Sequence, residues 1–515
     1  MKQLEAISVV APGWYGLNLQ DSAVGLSPNY SLIADNCVID SSGRIGSRKG
    51  WTMQTTTGAA ELSGESIEFI AEHTNADDTI TYLSSGNAKF FTGGVSAVLT
   101  DVTPAAYTIT DHNWTSACLL GHSVIVQDAH EPLVYTAAGG LQKFSVFSAA
   151  VQNWNGNTLR DVQAAYGRLW AHDGTYVYWS TDIVDAAFPD FAAGTSGFLN
   201  IASVLPNNTD RIIGITCHNN FLVIFCQRNI VIYSGADDIL STSFGLSDVI
   251  SNVGCIARDS IEKTGNDIIF LSASGVKSLG RVIQEKSMPM RDLTRNVRDQ
   301  LLAVSIEEPL NSGNLDNVKA VYSEAYAFYL ISFPAIERIY CLDMRQALED
   351  GSARVTNWTS YKAKYFFRTR DRELLLGMVN GIGKYEGYTD NGASYRMKAY
   401  SSYLDFGNPT SLKMPKKIKS TILGGSGQDI VVKLGFDFIG RTFSFPYTIP
   451  ENAPSFYNVD EYEDAIYTGG IAIDQVDTQA LGSGNVIQVG VEATVNGYPV
   501  SIQKIDLFVK TGKVS

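Results

Sequence analysis

From about residue 66 to residue 390 the chain repeats one pattern: a short apolar run, a turn rich in Gly, Asn, Asp or Ser, and a second short apolar run. Ile80-Thr81-Tyr82-Leu83 and Ala88-Lys89-Phe90-Phe91 flank Ser84-Ser85-Gly86-Asn87, and Arg168-Leu169-Trp170-Ala171 and Tyr176-Val177-Tyr178-Trp179 flank a turn at Asp173-Gly174. Phe221–Phe225 with Ile230–Tyr233, and Ile268–Leu271 with Val276–Leu279 across Ser274-Gly275, follow the same plan. Runs this short, rich in β-branched and aromatic residues and bounded by turn chemistry, predict antiparallel hairpins. Ser123–Val126 with Pro132–Tyr135, Tyr326–Leu330 with Arg338–Tyr340, and Leu374–Leu376 with Gly383–Tyr385 complete about seven such units.

One marker per unit, Tyr82, Val124, Leu169, Leu222, Ile268, Phe328 and Leu374, recurs at intervals of about 40–60 residues. Several strands per repeat at that period predict an all-β fold, a β-propeller of about seven blades. Two longer intervals leave six or eight blades open, and two or three unrelated β domains with evenly spaced strands are the competing reading. No Gly-His…Trp-Asp signature of a WD-repeat protein is present.

Two stretches depart from the pattern. Between residues 288 and 304, Leu293, Val297, Leu301 and Val304 fall on one helical face, with Arg291, Arg295 and Arg298 elsewhere on the surface, which predicts a helical insertion. After Asn391-Gly392 the repeat stops, and alternation such as Ile430–Phe436 and Val489–Ala493 predicts a C-terminal β domain, sandwich-like, over residues 393–515. The expected organisation is an extended arm over residues 1–60, the propeller over 61–392, and that last domain.

Composition narrows the function. Hydrophobic residues make up 45% and charged residues 18%, a globular balance. The net charge of −14 disfavours nucleic acid and anionic membrane as ligands outside a local basic patch. The strongest apolar run, Phe221–Cys226, is strand-length, so no stable membrane insertion is expected, and the early Glu5 makes a poor secretion signal. Synthesis in cytoplasm is expected. The six cysteines are scattered without C-x-x-C, which predicts reduced structural thiols.

The chemistry is sparse. The six histidines fall mostly in predicted turns with no metal-ligand spacing, and the nucleophile-elbow, phosphate-loop and dinucleotide signatures are absent. No catalytic residue, cofactor or metal is therefore expected. Asp161, Asp210 and Asp259 each precede a unit by a similar offset, so they form either an axial ring of carboxylates or, as Asx turns favour, caps on turns between blades. Trp154, Trp170, Trp179 and Trp358 suit stacking on a sugar or packing between blades. The densest basic cluster is Lys413, Lys416, Lys417 and Lys419. It reads as a phosphate contact or as edge-strand lysines that block edge-to-edge pairing. With Arg291, Arg295 and Arg298 it supplies the candidate contacts to DNA or to a partner chain.

Some stretches carry a resemblance. Arg160–Ala171 through Tyr178-Trp179-Ser180-Thr181-Asp182, then Ile212–Ile215 and Asn220–Phe225 to Ile232–Gly235, are similar to the tail hub or nozzle proteins of short-tailed phages (podoviruses). Ala34-Asp35-Asn36-Cys37-Val38-Ile39-Asp40 with Gly43-Arg44-Ile45 and Arg48-Lys49-Gly50-Trp51 resembles that family's opening, although Lys49 stands where many relatives carry Pro. Tyr403–Gly407 with the lysine-rich strand resembles the start of its C-terminal domain. The resemblance implies a structural, non-enzymatic virion protein of the tail. Such a protein forms a hexameric ring below the portal and adaptor, lines the DNA exit channel, retains packaged double-stranded DNA, lets it pass on ejection and attaches fibres or a tip. Two alternatives stand beside it: a glycan-binding or glycan-cleaving propeller of a phage or bacterium, and a plain scaffold module.

Overall fold

The computed structural model describes residues 5–514 except 57–58, 76, 149, 155, 183–187, 189, 193, 206–208, 241–242, 285–291, 439–440, 451–472 and 480. Among the described residues the chain is an all-β propeller of seven blades with a C-terminal β-sandwich. Every hairpin expected from the sequence forms the second and third strands of a blade. The third blade shows the plan: Asp161–Ala165 lies innermost, followed outward by Arg168–His172, Tyr176–Trp179 and Gly197–Asn200, each antiparallel to the last. Its first turn puts Tyr166 at φ 53° and Gly167 at φ 69°, the twist that a two-residue hairpin turn demands. Its second is held by Asp173, whose side chain accepts from the backbone N–H of Thr175 and Tyr176, both at 2.8 Å.

The middle strands read as unbroken apolar runs because each is buried on both faces. Trp170 and Val177 of the third blade pack with Ile215, Leu222 and Ile224 of the fourth. Val223 and Phe225, on the fourth blade's other face, pack with Ile268 and Phe270 of the fifth. Comparable cores join every consecutive pair of blades and return from Leu375 and Ile382 of the seventh to Ile70 and Phe91 of the first. Trp154, Trp170 and Trp358 are buried in these cores and Trp179 packs against Trp170, so packing between blades accounts for the tryptophans.

Closure comes from the N-terminus. The last blade supplies only Tyr365–Arg368, Leu374–Met378 and Gly381–Lys384; its fourth strand is Thr52–Met53, in register as Gly383 opposite Met53 and Lys384 opposite Thr52. The described part of the N-terminal segment supplies further strands. Gly16–Leu17 and Tyr30–Asp35 continue the sixth blade from Arg354–Trp358 into Tyr395–Ser401, giving a ten-stranded sheet. Glu5–Val10, Cys37–Ile39 and Ile45–Ser47 join Ser411–Gly424, Ile473–Gln479 and Val500–Val514 in a six-stranded sheet. Ile418, Leu507 and Val509 of the second sheet pack on Val432, Leu434 and Ile487 of the first, which is the sandwich core. The expected arm is thus threaded through both layers of the sandwich and into the propeller.

The insertion differs from the expected helix over 288–304. The α-helix is Arg298–Ser312, and residues 288–291 lie outside the described part. Leu293, Val297, Leu301 and Val304 are all buried, as their period requires. Leu293, however, is tied to sheet backbone, donating to Val276 O at 2.9 Å and accepting from Ala353 N at 2.8 Å, which prevents helix there. Gly313, at φ 87°, ends the helix and donates to Pro309 O.

Candidate functional site

The innermost strand of each blade starts at the same mouth of the axis, and charged residues collect there. Arg258 and Asp259, just before the fifth blade, lie at the centre. The Arg258 guanidinium donates to Arg160 O at 2.7 Å and to Asn113 O and Oδ1 at 3.1 and 2.8 Å, reaching the third and second blades. It also pairs with Asp259 at 2.6 Å. Lys319, at the start of the sixth blade's inner strand, donates to Asp259, to Asn113 Oδ1 at 2.5 Å and to Asp316 O at 3.1 Å. Asp161 accepts from Thr115 Oγ1 at 3.1 Å and from Ile215 N at 3.2 Å, binding the second and fourth blades to the third. Five blades therefore meet in one network. A cavity of about 330 Å³ beside it is lined further along by Gln163, Thr216, Glu262, Tyr365 and Arg368.

The electrostatics divide these carboxyls. Burial pushes Asp161 up to about 6, with Arg258 only partly offsetting it. Burial likewise pushes Glu262 up to about 7 against the opposing pull of Arg368. Burial acts in the same sense on Asp259, but Arg258 and Lys319 outweigh it and hold that carboxyl down at about 2. Burial lowers the Lys319 ammonium, and Asp259 opposes the shift. Asp259 with Arg258 and Lys319 is thus a fixed ionic strut, whereas Asp161 and Glu262 titrate near neutrality.

Of the three aspartates marked by their offset, Asp161 and Asp259 reach the axis. Asp210 caps a turn instead, accepting from Arg228 N at 3.0 Å and Asn229 Nδ2 at 2.7 Å. Arg258, Lys319 and Glu262 were not singled out from the sequence. A signal existed: the pairs Arg160-Asp161, Asp210-Arg211 and Arg258-Asp259 each place an arginine beside an aspartate at or just before the start of an inner strand. Among the described residues no group of three or more His, Cys, Asp or Glu is arranged to hold a metal ion.

The basic candidates lie elsewhere and do not form one patch. From Lys417 to Leu423 the strand Ser411–Gly424 is interior, paired with Ile473–Gln479 on one side and Val500–Val514 on the other, so the edge-strand reading fails for Lys417 and Lys419. Alternation reports which face is buried, not whether a neighbouring strand is present. Lys413 is buried and donates to Asn485 O at 2.7 Å and to Asn408 O. Lys417 pairs with Asp477 at 2.8 Å, and Lys419 stands in register between Asp477 and Asp506. Lys416 is exposed. Arg295 pairs with Asp350 at 2.9 Å, Arg298 faces Asp292 at 3.9 Å, and Arg291 lies outside the described residues. No helix among the described residues is long and apolar enough to cross a membrane.

No family model matches the chain, and no curated protein matches it in sequence. Solved structures similar to it include PorZ, a bacterial surface component of the type IX secretion system of Porphyromonas gingivalis, at 12% identity and TM-score 0.37 over 77% of this chain. The chain spans 46% of the length of that structure. The CNH domain of AfRom2 is similar at 11% identity and TM-score 0.38, covering 65% of this chain and 98% of the domain. The WD40 propeller domain of Doa1 is similar at 7% identity and TM-score 0.34, covering 65% and 96%. Likeness at this level carries no argument about function.

Proposed function

We propose that the chain is a structural subunit of a short-tailed phage tail, a hub or nozzle protein that assembles as a ring below the portal and adaptor. The observation that carries the reading is where the motif Ala34–Asp40 with Arg48–Trp51 sits. These residues resemble the family's opening, and they stitch the propeller to the sandwich. Cys37 O accepts from Trp358 Nε1 at 2.9 Å and from Thr356 Oγ1 at 2.7 Å, and Arg48 is paired with Asp390 at 2.7 Å. A chain tied at so many points suits a rigid building block under pressure better than a hinged enzyme. The axis of each propeller holds the Arg258 network, so in this proposal DNA runs between copies of the chain, along the ring axis. Repeating a net charge of −14 around that ring keeps phosphates from adhering to its wall.

The test is electron microscopy of the purified chain together with antibody labelling of virions. Closed rings and labelled tails support the proposal. A chain that stays monomeric at high concentration, with no label on tails, overturns it. One observation favours a second reading, a glycan-cleaving propeller: Asp161 and Glu262 titrate near neutrality beside the 330 Å³ axial cavity. Incubation with host polysaccharide decides it, and absence of new reducing ends rules that reading out.

A further inference from the structure

A second concavity, of about 750 Å³, opens on the outer side of the sixth blade, where the N-terminal strands, the turn before the helix and the 344–354 loop converge. Its size and its place at a junction of substructures fit a small-ligand site. Tyr15 and Tyr30 form one wall, their rings 5.3 Å apart and edge to face. Asp21, Asn296, Gln346 and Arg354 supply the polar lining.

Two of these polar side chains are set in place by burial. Asn296 is 2% exposed, and its Nδ2 donates to Ser352 Oγ at 3.0 Å. Arg354 is 6% exposed and pairs with Asp343 at 2.5 Å through one terminal nitrogen, while its buried Nε finds no acceptor.

Charge narrows the ligand class. The lining holds three carboxylates, of Asp21, Glu349 and Asp350, and two guanidiniums, and each guanidinium already has a carboxylate: Arg295 has Asp350 and Arg354 has Asp343. An anion would meet no unmatched cation here. A purely apolar ligand would strand the amides and carboxylates. A neutral molecule with many hydroxyls and an apolar C–H face satisfies both the tyrosine wall and the planar polar groups.

We propose that this concavity is a binding site for a neutral saccharide, with Tyr15 and Tyr30 as the stacking wall and Asp21, Gln346 and Arg354 as its hydrogen-bonding partners. The proposal stands apart from the tail reading and from the axial cavity.

The test uses the full chain on an array of bacterial surface oligosaccharides, with maltotriose and cellotriose included, followed by calorimetric titration of the best binder. Asp21 and Gln346 are exposed, and Asp21 also accepts from the buried Asn18 Nδ2 at 2.8 Å, so the Asp21→Asn/Gln346→Ala variant keeps that acceptor while changing the contacts to a ligand. Glu262→Gln serves as the axial control. The expected result is binding by the wild-type chain, weakened about tenfold or more in the double variant at unchanged melting temperature and unaffected by Glu262→Gln. The proposal is overturned if no array member binds at millimolar concentration, if the double variant binds as the wild type does, or if Glu262→Gln alone abolishes binding.

Discussion

Arg48 and Asp390 join the two ends of the propeller in a two-point ion pair, Nη1 to Oδ1 at 2.8 Å and Nη2 to Oδ2 at 2.7 Å. The remaining guanidinium hydrogens go to Asn36 Oδ1 at 3.1 Å, Lys49 O at 2.8 Å and Ser360 Oγ at 3.0 Å, so all five donors are used. The guanidinium also lies 4.1 Å from the ring centre of Tyr395 and 4.5 Å from that of Tyr361. Burial disfavours the Arg48 charge, but Asp390 more than restores it.

Arg48→Met is expected to destabilise the protein by about 3–5 kcal/mol, because it strands the Asp390 carboxylate and empties a fully satisfied site. Adding Asp390→Asn should recover part of that loss. Arg48→Lys, which keeps the charge but not the planar fork, should fall between. Guanidinium unfolding at neutral pH measures all three. A loss below about 1 kcal/mol for Arg48→Met would mean the site is an ordinary surface pair.

Residues 61–392 expressed alone should not behave as a finished propeller. They lack Thr52–Met53, leaving Gly381–Lys384 as an open edge beside the ring closure. A fragment over 48–392 restores both that strand and the Arg48–Asp390 pair. Amide exchange at residues 381–384 should be fast in the shorter fragment and markedly slower in the longer one. Equal protection in the two would show that the seventh blade closes without the N-terminal strand.

The hairpins were legible because turn chemistry and strand composition are local. Asp173-Gly174 specifies its turn whatever lies around it. Thr52–Met53 was not legible as a blade strand, since two residues carry no period and their partners lie more than 300 positions away. The edge-strand reading of Lys417 and Lys419 fails for a related reason: alternation defines faces, while the two flanking strands, Ile473–Gln479 and Val500–Val514, lie far along the chain. At the axis, position relative to each unit found Asp161 and Asp259 but could not separate them from Asp210. That distinction depends on whether Arg258 and Lys319 arrive at the same point, which only the closed ring decides.

The thiols give a sharp solution test. Burial pushes Cys217 and Cys226 up to about 12 and Cys255 up to about 11, and also raises Cys37 and Cys341. Cys118 is half-buried, and the other five are buried. Iodoacetamide at about pH 8 should therefore add at most one group to the native chain and six after denaturation, as read by intact mass. Two or more rapid adducts on the native chain would contradict the packing between blades.

The axial carboxyls predict stability slopes of opposite sign. Asp161 and Glu262 titrate higher in the folded chain, at about 6 and about 7, than an unfolded carboxyl does. The folded state thus holds their protons more tightly. Their contribution is complete below about pH 4 and is lost as pH rises through their folded values. Asp259, at about 2, does the reverse: its contribution is present above about pH 4 and is lost as pH falls through 2. Asp161→Asn with Glu262→Gln should therefore flatten the decline in unfolding free energy between about pH 4 and pH 7. Asp259→Asn should destabilise strongly at pH 7 and little near pH 2, because it leaves Arg258 and Lys319 facing each other without their shared anion. Denaturant unfolding across that range separates the two effects. If Asp259→Asn costs the same at both ends of the range, the strut does not depend on charge.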